Sequence, residues 1–454
     1  DGKRYPLLRI VKLPTNLKKR NTYLHLAAET GQIQEFTTAF SEQKDINIKN
    51  NCGETSFHLA CANGRFQIVQ LLLQSTDLEI EVNAKDNYGD TAFHLACQEG
   101  QLDVINILLE NAANLKIDLN AKGVKQKTAF IWACYNGHTD VIKMFVEKAA
   151  AFSIDLKAKD DYGGTGFMWA CNNGHTDVVK ILMQNAAKLS LDLNTKDHYG
   201  RSAFLLACFN GHNHVVKIFM ENATTFDIDI HSKDTRGSTG FHLACQSGVT
   251  DVVKIFMQNA AKINFDLNMK NSVSWTAFHL ACVNGQTDVV KIFMENASTF
   301  GIDIKTKDWN GSTGFKLACK EGLTDMVKMF MQNATQLSFD LNMKDDVNWT
   351  AFHWACLKGH TDVVKIFMKN ALTLGINLNT KSDKSVTAFH AACVSGHLDM
   401  VKIFLENAAA LSIDLMIKTQ SGKTAFHLAA FHDHENIVEL MLNSEDFPKF
   451  DTLE

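Results

Sequence analysis

Apolar and polar positions along this chain fall into one pattern that keeps returning. Within residues 165–201, TGFMWACNNGHTDVVKILMQNAAKLSLDLNTKDHYGR, Phe167, Ala170 and Cys171 stand at i, i+3 and i+4, the spacing that lines one face of a short helix. Gly174 predicts its end, because glycine at C′ adopts φ > 0 without steric cost. Thr176 and Asp177 predict an N-cap and a first-turn carboxylate for a second helix. Val178, Val179, Ile181, Leu182 and Met183 give that helix a wider apolar face, and the polar run from Asp192 to Gly200 predicts a projecting loop. The predicted unit is helix, tight turn, helix, loop.

The unit recurs every 37 residues, with TAF-x-x-AC or a close variant starting at Thr91, Thr128, Thr165, Ser202, Thr239, Thr276, Thr313, Thr350, Thr387 and Thr424. Shorter copies begin at Thr22 and Thr55. A fixed period of this size marks a stacked array in which each unit touches only its neighbours. About twelve units therefore predict a single array over residues 21–447, with a basic leader at 1–20 and a short tail at 448–454.

The string T-x-F-H-x-A-C-x-x-G-H-x-D-V-V, followed by N-x-K-D-x-x-G, resembles the ankyrin repeat over roughly residues 21–445. The resemblance implies an all-α, elongated and curved helix-turn-helix solenoid with projecting loops, a protein-binding inner face, and no catalytic role. It also implies that the column His25, His58, His94, His242, His279, His353, His390 and His427 hydrogen-bonds within and between units. The chain departs from the family pattern in two ways. No unit has the usual proline after the Thr, since Pro6, Pro14 and Pro448 all lie outside the array. The period also exceeds the usual 33 or so residues by about four, roughly one α-turn or 6 Å. A lengthened second helix or an enlarged loop is expected, with Leu189, Leu191 and Leu193 adding burial. Adjacent units alternate, as in QNAAKLSLDLN at 184–194 and ENATTFDIDI at 221–230, so a 74-residue pair is the expected duplicated element.

A net charge of −5 and a pI near 6.4, with both signs interspersed, exclude the broad basic field that nucleic acid requires. The local exception is the leader, where Lys3, Arg4, Arg9, Lys12, Lys18, Lys19 and Arg20 face only Asp1. Ten of eleven cysteines, from Cys61 to Cys393, share one column. Neighbouring helices pack roughly 8–10 Å apart, too far for disulfides, so buried thiols and a reducing compartment are expected, the cytoplasm or alternatively the nucleus. No apolar run is long enough for a membrane span. The first residue is not Met, which leaves room for a larger protein.

Chemistry would need one unique constellation, whereas the conspicuous polar residues here are repeated columns. His-x-x-Cys pairs such as His94 and Cys97 do not converge four ligands, and no phosphate-binding glycine motif occurs, so neither metal nor cofactor is expected. Polar residues at each end, among them Glu29, Gln34, His432 and Glu435, read as caps. Recognition is expected in the columns that vary. On the first helices these include Trp132, Tyr135, Trp169 and Phe209, beside the apolar Ile131, Met168 and Leu205 that replace the common His, and also Trp354 and Leu357. On the loops they include Tyr88, Tyr162, Tyr199 and Trp309, while Trp275 and Trp349 suit either recognition or packing on the next loop. The expected function is a non-catalytic scaffold for a protein partner, with a regulatory or assembly portion of a larger enzyme or channel, or a self-associating array, as the alternative.

Overall fold

The computed structural model describes residues 21–42, 45–75, 79–445 and 447, so the leader 1–20 and the tail 448–454 lie outside the described residues. Among those described there are 25 α-helices and no strand. They form two compact units, one made by the described residues up to Ala207 with His214–Ile230, the other by Cys208–Asn213 with the residues from His231 onward.

Both units are built from the helix pair that the sequence predicts. In the Thr165 repeat the first helix spans Gly166–Asn172 and the second Thr176–Gln184, continued by a turn at Ala186–Leu189. Thr165 is extended at φ −91°, ψ 166°, and its hydroxyl accepts the backbone N–H of Met168, which satisfies one of the helix's orphan donors. Gly174 sits at φ +74°, as the tight turn requires. The expected N-cap at Thr176 is corrected: His175 holds that position without a side-chain cap, and Thr176 is already helical, its hydroxyl donating to the Gly174 carbonyl at 3.4 Å. Asp177 does supply the first-turn carboxylate.

Where the second helix carries a Phe, it packs edge-on or tilted against the first-helix Phe of its own and the preceding repeat. Phe145 lies 5.8 Å from Phe130 and 6.3 Å from Phe93 in one unit, and in the other Phe278 lies 5.4 Å from Phe293 and 6.0 Å from Phe330. Such pairs contribute about 0.5–1.5 kcal/mol beyond the area they bury. Close approach also constrains the residue after the Thr. A Cβ on Gly166 would stand 2.6 Å from the Phe130 ring and 2.9 Å from Cys134 Sγ, and one on Gly314 would meet Phe278 and Cys282 at 2.7 Å. At these two TGF starts the preceding first helix leaves no room for a side chain.

The four extra residues take both expected forms. The second helix runs unbroken for 14 residues at Leu102–Leu115, Thr139–Phe152 and Thr287–Phe300, and elsewhere stops near its Asn and continues as a turn. Both forms end on a left-handed residue in one register, Lys116, Ser153, Ser190 and Asp227, then Asn264, Gly301, Ser338, Gly375 and Ser412. The following N–H reaches back to the carbonyl five residues earlier, as from Ile154 to Ala149 at 3.0 Å, a Schellman-type closure. An Asn of the preceding repeat then reads that cap. Asn120 Nδ2 donates to the Ser153 carbonyl and its Oδ1 accepts from the Asp155 N–H, both at 2.8 Å, and Asn268 does the same to Gly301 and Asp303. Lys157, His231 and Lys305 stand at this position in alternate repeats between Asn120 and Asn342, whereas Asn83 and Asn120, and Asn342 and Asn379, make the contact in consecutive repeats, so the ladder follows the expected repeat pairs only in the middle of the array. Leu193 is buried, whereas Leu189 and Leu191 are half-buried.

Candidate interaction surface

Two polar ties position the first helices. In the Thr91 repeat, His94 Nδ1 accepts the Thr91 N–H at 3.1 Å, so the proton lies on Nε2, which faces the Lys127 carbonyl of the next repeat at 3.2 Å. His242, His279 and His353 repeat this arrangement with the carbonyls of Trp275, Ser312 and Val386. Burial pushes the pKa of His94, His242 and His353 down to about 4, against the upward pull of those backbone hydrogen bonds. A second tie runs backward, where His138 and His175 Nε2 contact the carbonyls of Gln98 and Tyr135 at 2.6 and 2.8 Å.

Ile131 and Met168 take the His position in the next two repeats and are fully buried, so they fill the interior and do not face a ligand. Beside them Trp132, Tyr135 and Trp169 are half-buried and form a continuous ridge, with centroids 5.6 Å apart between the first two and 5.3 Å between the last two. A lysine completes it. Lys127 is only 5% exposed, and its Nζ stands 4.4 Å from the Trp132 ring centroid, 4.1 Å from Tyr135 and 4.2 Å from Trp169. Burial lowers the Lys127 pKa to about 8, while the Asp160 and Asp90 carboxylates pull it upward. Asp160 is itself built in, as its Oδ2 accepts the Trp169 indole N–H at 2.8 Å and its Oδ1 accepts the Tyr162 and Gly164 backbone N–H groups. Burial raises the Asp90 pKa to about 6, opposed by the Val124 N–H, the Trp132 indole and Lys127.

Phe209 belongs to the other compact unit and is 38% exposed. That unit carries a related arrangement at Trp354, which is half-buried, donates its indole N–H to Asp345 Oδ2 at 2.8 Å and packs tilted against Trp349, with centroids 5.0 Å apart. Lys320 lies over the Trp354 ring at 4.8 Å, and the buried Lys316 is 3.5 Å from the same Asp345 oxygen. Leu357 is half-buried nearby in sequence. Trp275 donates to Asp308 of the next turn at 3.1 Å, the packing role, whereas Trp349 packs within its own repeat. Tyr88, Tyr162, Tyr199 and Trp309 are all exposed at turn tips. A shallow groove of about 520 Å³ past Arg65, Phe66, Asp103 and Glu110 holds none of these aromatics.

Sequence patterns brought Trp132, Tyr135 and Trp169 forward but gave no sign of Lys127, Asp90 and Asp160, which share the site. The column holding Lys127 reads Glu54, Asp90, Lys127, Gly164 and Arg201 in successive repeats, so no fixed chemistry marks it as inward. All ten cysteines of the repeated column are buried, Cys52 is half-buried, and none forms a disulfide among the described residues. No helix among the described residues is long and apolar enough to cross a membrane.

The profile described as "Ankyrin repeats (3 copies)" matches residues 24–122, 115–197, 187–266, 204–308, 300–382 and 368–451, and the chain belongs to the ankyrin-repeat family. That family generally mediates protein–protein interaction and is typically non-catalytic. A stretch of 53 residues is 38% identical to the "Probable E3 ubiquitin-protein ligase XBOS33" of Oryza sativa subsp. japonica, and covers 12% of this chain and 10% of the rice protein.

Proposed function

We propose that this chain is a non-catalytic scaffold that holds a segment of a partner protein on its first-helix face and turn tips, with Trp132, Tyr135 and Trp169 as the main anchors. The ridge they form is the observation that carries it. Three large rings stay partly open to solvent although their repeats have apolar space-fillers underneath, and large aromatics flanked by polar groups are the usual anchors of protein interfaces. Trp354 and Leu357 on the other unit, Phe209, and the tips Tyr88, Tyr162, Tyr199 and Trp309 supply further contact. Buried thiols in one column suit a reducing compartment, and imaging a tagged copy tests the expected cytoplasmic location.

The test is proximity crosslinking of the full chain in cells, followed by mass spectrometry, beside the double variant Trp132→Ala, Trp169→Ala. Loss of a defined set of partners with the helical circular dichroism unchanged supports the reading; an unchanged set moves the anchors elsewhere. In a second reading the array is the assembly portion of a larger protein. It is favoured by the rice relative, in which the similar stretch makes up only a tenth of the length. An immunoblot of the native protein against this 454-residue chain decides it by mass.

A further inference from the structure

We propose that the Trp132, Tyr135 and Trp169 ridge takes an uncharged, proline-rich extended segment, an inference that rests on the scaffold reading above. Charge narrows the choice first. The attraction of three rings for a cation is already met from inside by Lys127, 4.1–4.4 Å from each centroid, so an incoming ammonium meets like charge across the same rings. An incoming carboxylate fares no better, because the buried Asp90 and Asp160 already flank that lysine. Neither sign of charge is called for.

Hydrogen bonding narrows it next. The Trp169 indole N–H is donated to Asp160, so Trp169 offers a ring face and not a donor. A saturated, C–H-rich surface such as a prolyl ring packs on that face without covering an unpaired donor of Trp169. Spacing then favours one backbone conformation. Trp132 with Tyr135 and Trp169 come from neighbouring first helices, which pack roughly 8–10 Å apart. Polyproline II returns to the same side every three residues, about 9 Å, so a segment laid along the stack presents an equivalent residue to each repeat. That helix is also ordered before binding and loses little entropy on docking, which is how other aromatic-lined surfaces use it.

The experiment titrates the full chain by calorimetry with four synthetic peptides: (Pro-Pro-Leu)4, (Gly-Gly-Leu)4, and versions of the first with Lys or Glu in place of every Leu. The proline peptide is expected to bind, with the glycine and both charged peptides weaker by roughly ten-fold or more. Trp169→Ala should lose about ten-fold, while Trp169→Phe, which keeps a ring face and drops the N–H, retains affinity. Lys127→Met should let the Lys-bearing peptide bind as well as the original. Circular dichroism on each variant separates lost binding from lost fold. Equal binding of the glycine peptide, preference for either charged peptide, or indifference to Trp169→Ala overturns the inference. Random peptide display against the full chain and the double Ala variant separates the two levels. Ridge-dependent sequences without proline sink this inference and leave the scaffold reading standing, and no ridge-dependent sequence at all removes the ridge from both.

Discussion

In the repeats that begin at Thr91, Thr239, Thr276 and Thr350, a buried neutral imidazole closes the first turn and grips the carbonyl of the next repeat. In those that begin at Thr128 and Thr165, Ile131 and Met168 fill the same space, the Thr hydroxyl still caps the helix, and no side chain makes the forward tie. The difference coincides with the aromatic ridge. The last His before it, His94, holds the backbone carbonyl of Lys127, the residue whose ammonium the ridge surrounds. Polar stacking therefore stops where aromatic and cationic packing begins. A local departure from a repeated rule is where function is to be sought, since a fixed column serves stacking and a broken one is released from it.

Acid should break the comparison most strongly. A His whose folded pKa lies near 4 stays neutral in the native state while the unfolded chain takes up a proton below about 6.5. The unfolded state then binds more protons between those values, so stability is present above pH 6.5 and is lost as pH falls toward 4, on the order of 3 kcal/mol for each such His. Hydrogen exchange at pH 7 and pH 4.5, corrected for intrinsic rates, should show the helices Ala92–Glu99, Gly240–Ser247 and Ala351–Leu357 losing protection before Ala129–Asn136 and Gly166–Asn172. Uniform loss across both classes would leave the imidazoles without a special role.

The buried lysines give a slope of the same sign in an alkaline window and a somewhat smaller effect. Lys127 and Lys316 both have pKa values lowered by burial to about 8, so between 8 and about 10.5 the unfolded chain holds protons the native one has released. Stability should rise across that window by up to about 3 kcal/mol per lysine, less where neighbouring carboxylates relax, and chemical denaturation at pH 7.5 and 10 measures it. Lys316→Met should flatten the rise, and its cost near neutrality stays below that of a fully unpaired buried charge because Asp345 keeps the Trp354, Val347 and Trp349 N–H groups. Lys127→Met removes its share of the rise and three ring contacts as well.

How much of this was legible beforehand follows from which residues repeat. The helix pair, its turn glycine, the cysteine column and the His column recur at about 37 residues, so eight or more copies separate them from noise and the stacked fold follows. The ridge was visible as Trp132, Tyr135 and Trp169 breaking the columns. Its lysine was not, because burial of Lys127 comes from rings on two first helices and from no pattern along the chain. The caps of the lengthened second helices were hidden for a different reason. Their left-handed position holds Gly only at Gly301 and Gly375 and otherwise Lys, Ser, Asp or Asn, so the glycine signal that usually announces such a cap is missing. The expected Thr176 cap failed because Thr sits one residue inside the helix, behind a His whose ring is already committed to the preceding repeat.

Exchanging the two chemistries sharpens the comparison at a scale of 1–3 kcal/mol. His94→Leu leaves the buried Thr91 N–H without its acceptor and takes one of two donors from the Lys127 carbonyl, which keeps the Gly123 N–H, and should cost about 1–3 kcal/mol at pH 7 by denaturant titration. It should also loosen Lys127 against the ridge, seen as a shift in tryptophan emission. Ile131→His should change stability by less than about 1 kcal/mol at pH 7, since the Gly164 carbonyl ahead of it already accepts from the Asp160 N–H and can take a second donor. What Ile131→His should acquire is acid sensitivity, with Ala129–Asn136 joining the early-exchanging helices. A protein that tolerates His94→Leu freely, or an Ile131→His variant that stays acid-resistant, would mean the tie is decorative.

The smallest effect serves as the control. The second helices of both classes carry an exposed Asp and Lys at i and i+3, 2.9 Å apart at Asp140 and Lys143 in a ridge repeat and 3.0 Å apart at Asp325 and Lys328 in the other unit. Both partners of each pair are more than half exposed, so water and salt screen them, and a pair of this kind contributes about 0.3–0.5 kcal/mol. Lys143→Ala and Lys328→Ala should therefore each cost no more than that, equally in the two places, and the cost should vanish in 1 M salt, where screening acts over only about 3 Å. The first-helix differences must survive the same salt, because His94, Lys127 and Lys316 are buried. If 1 M salt erased the acid and alkaline slopes along with the surface pairs, those slopes would belong to general charge on the array, and the contrast between His-tied and aromatic repeats would carry no energetic meaning.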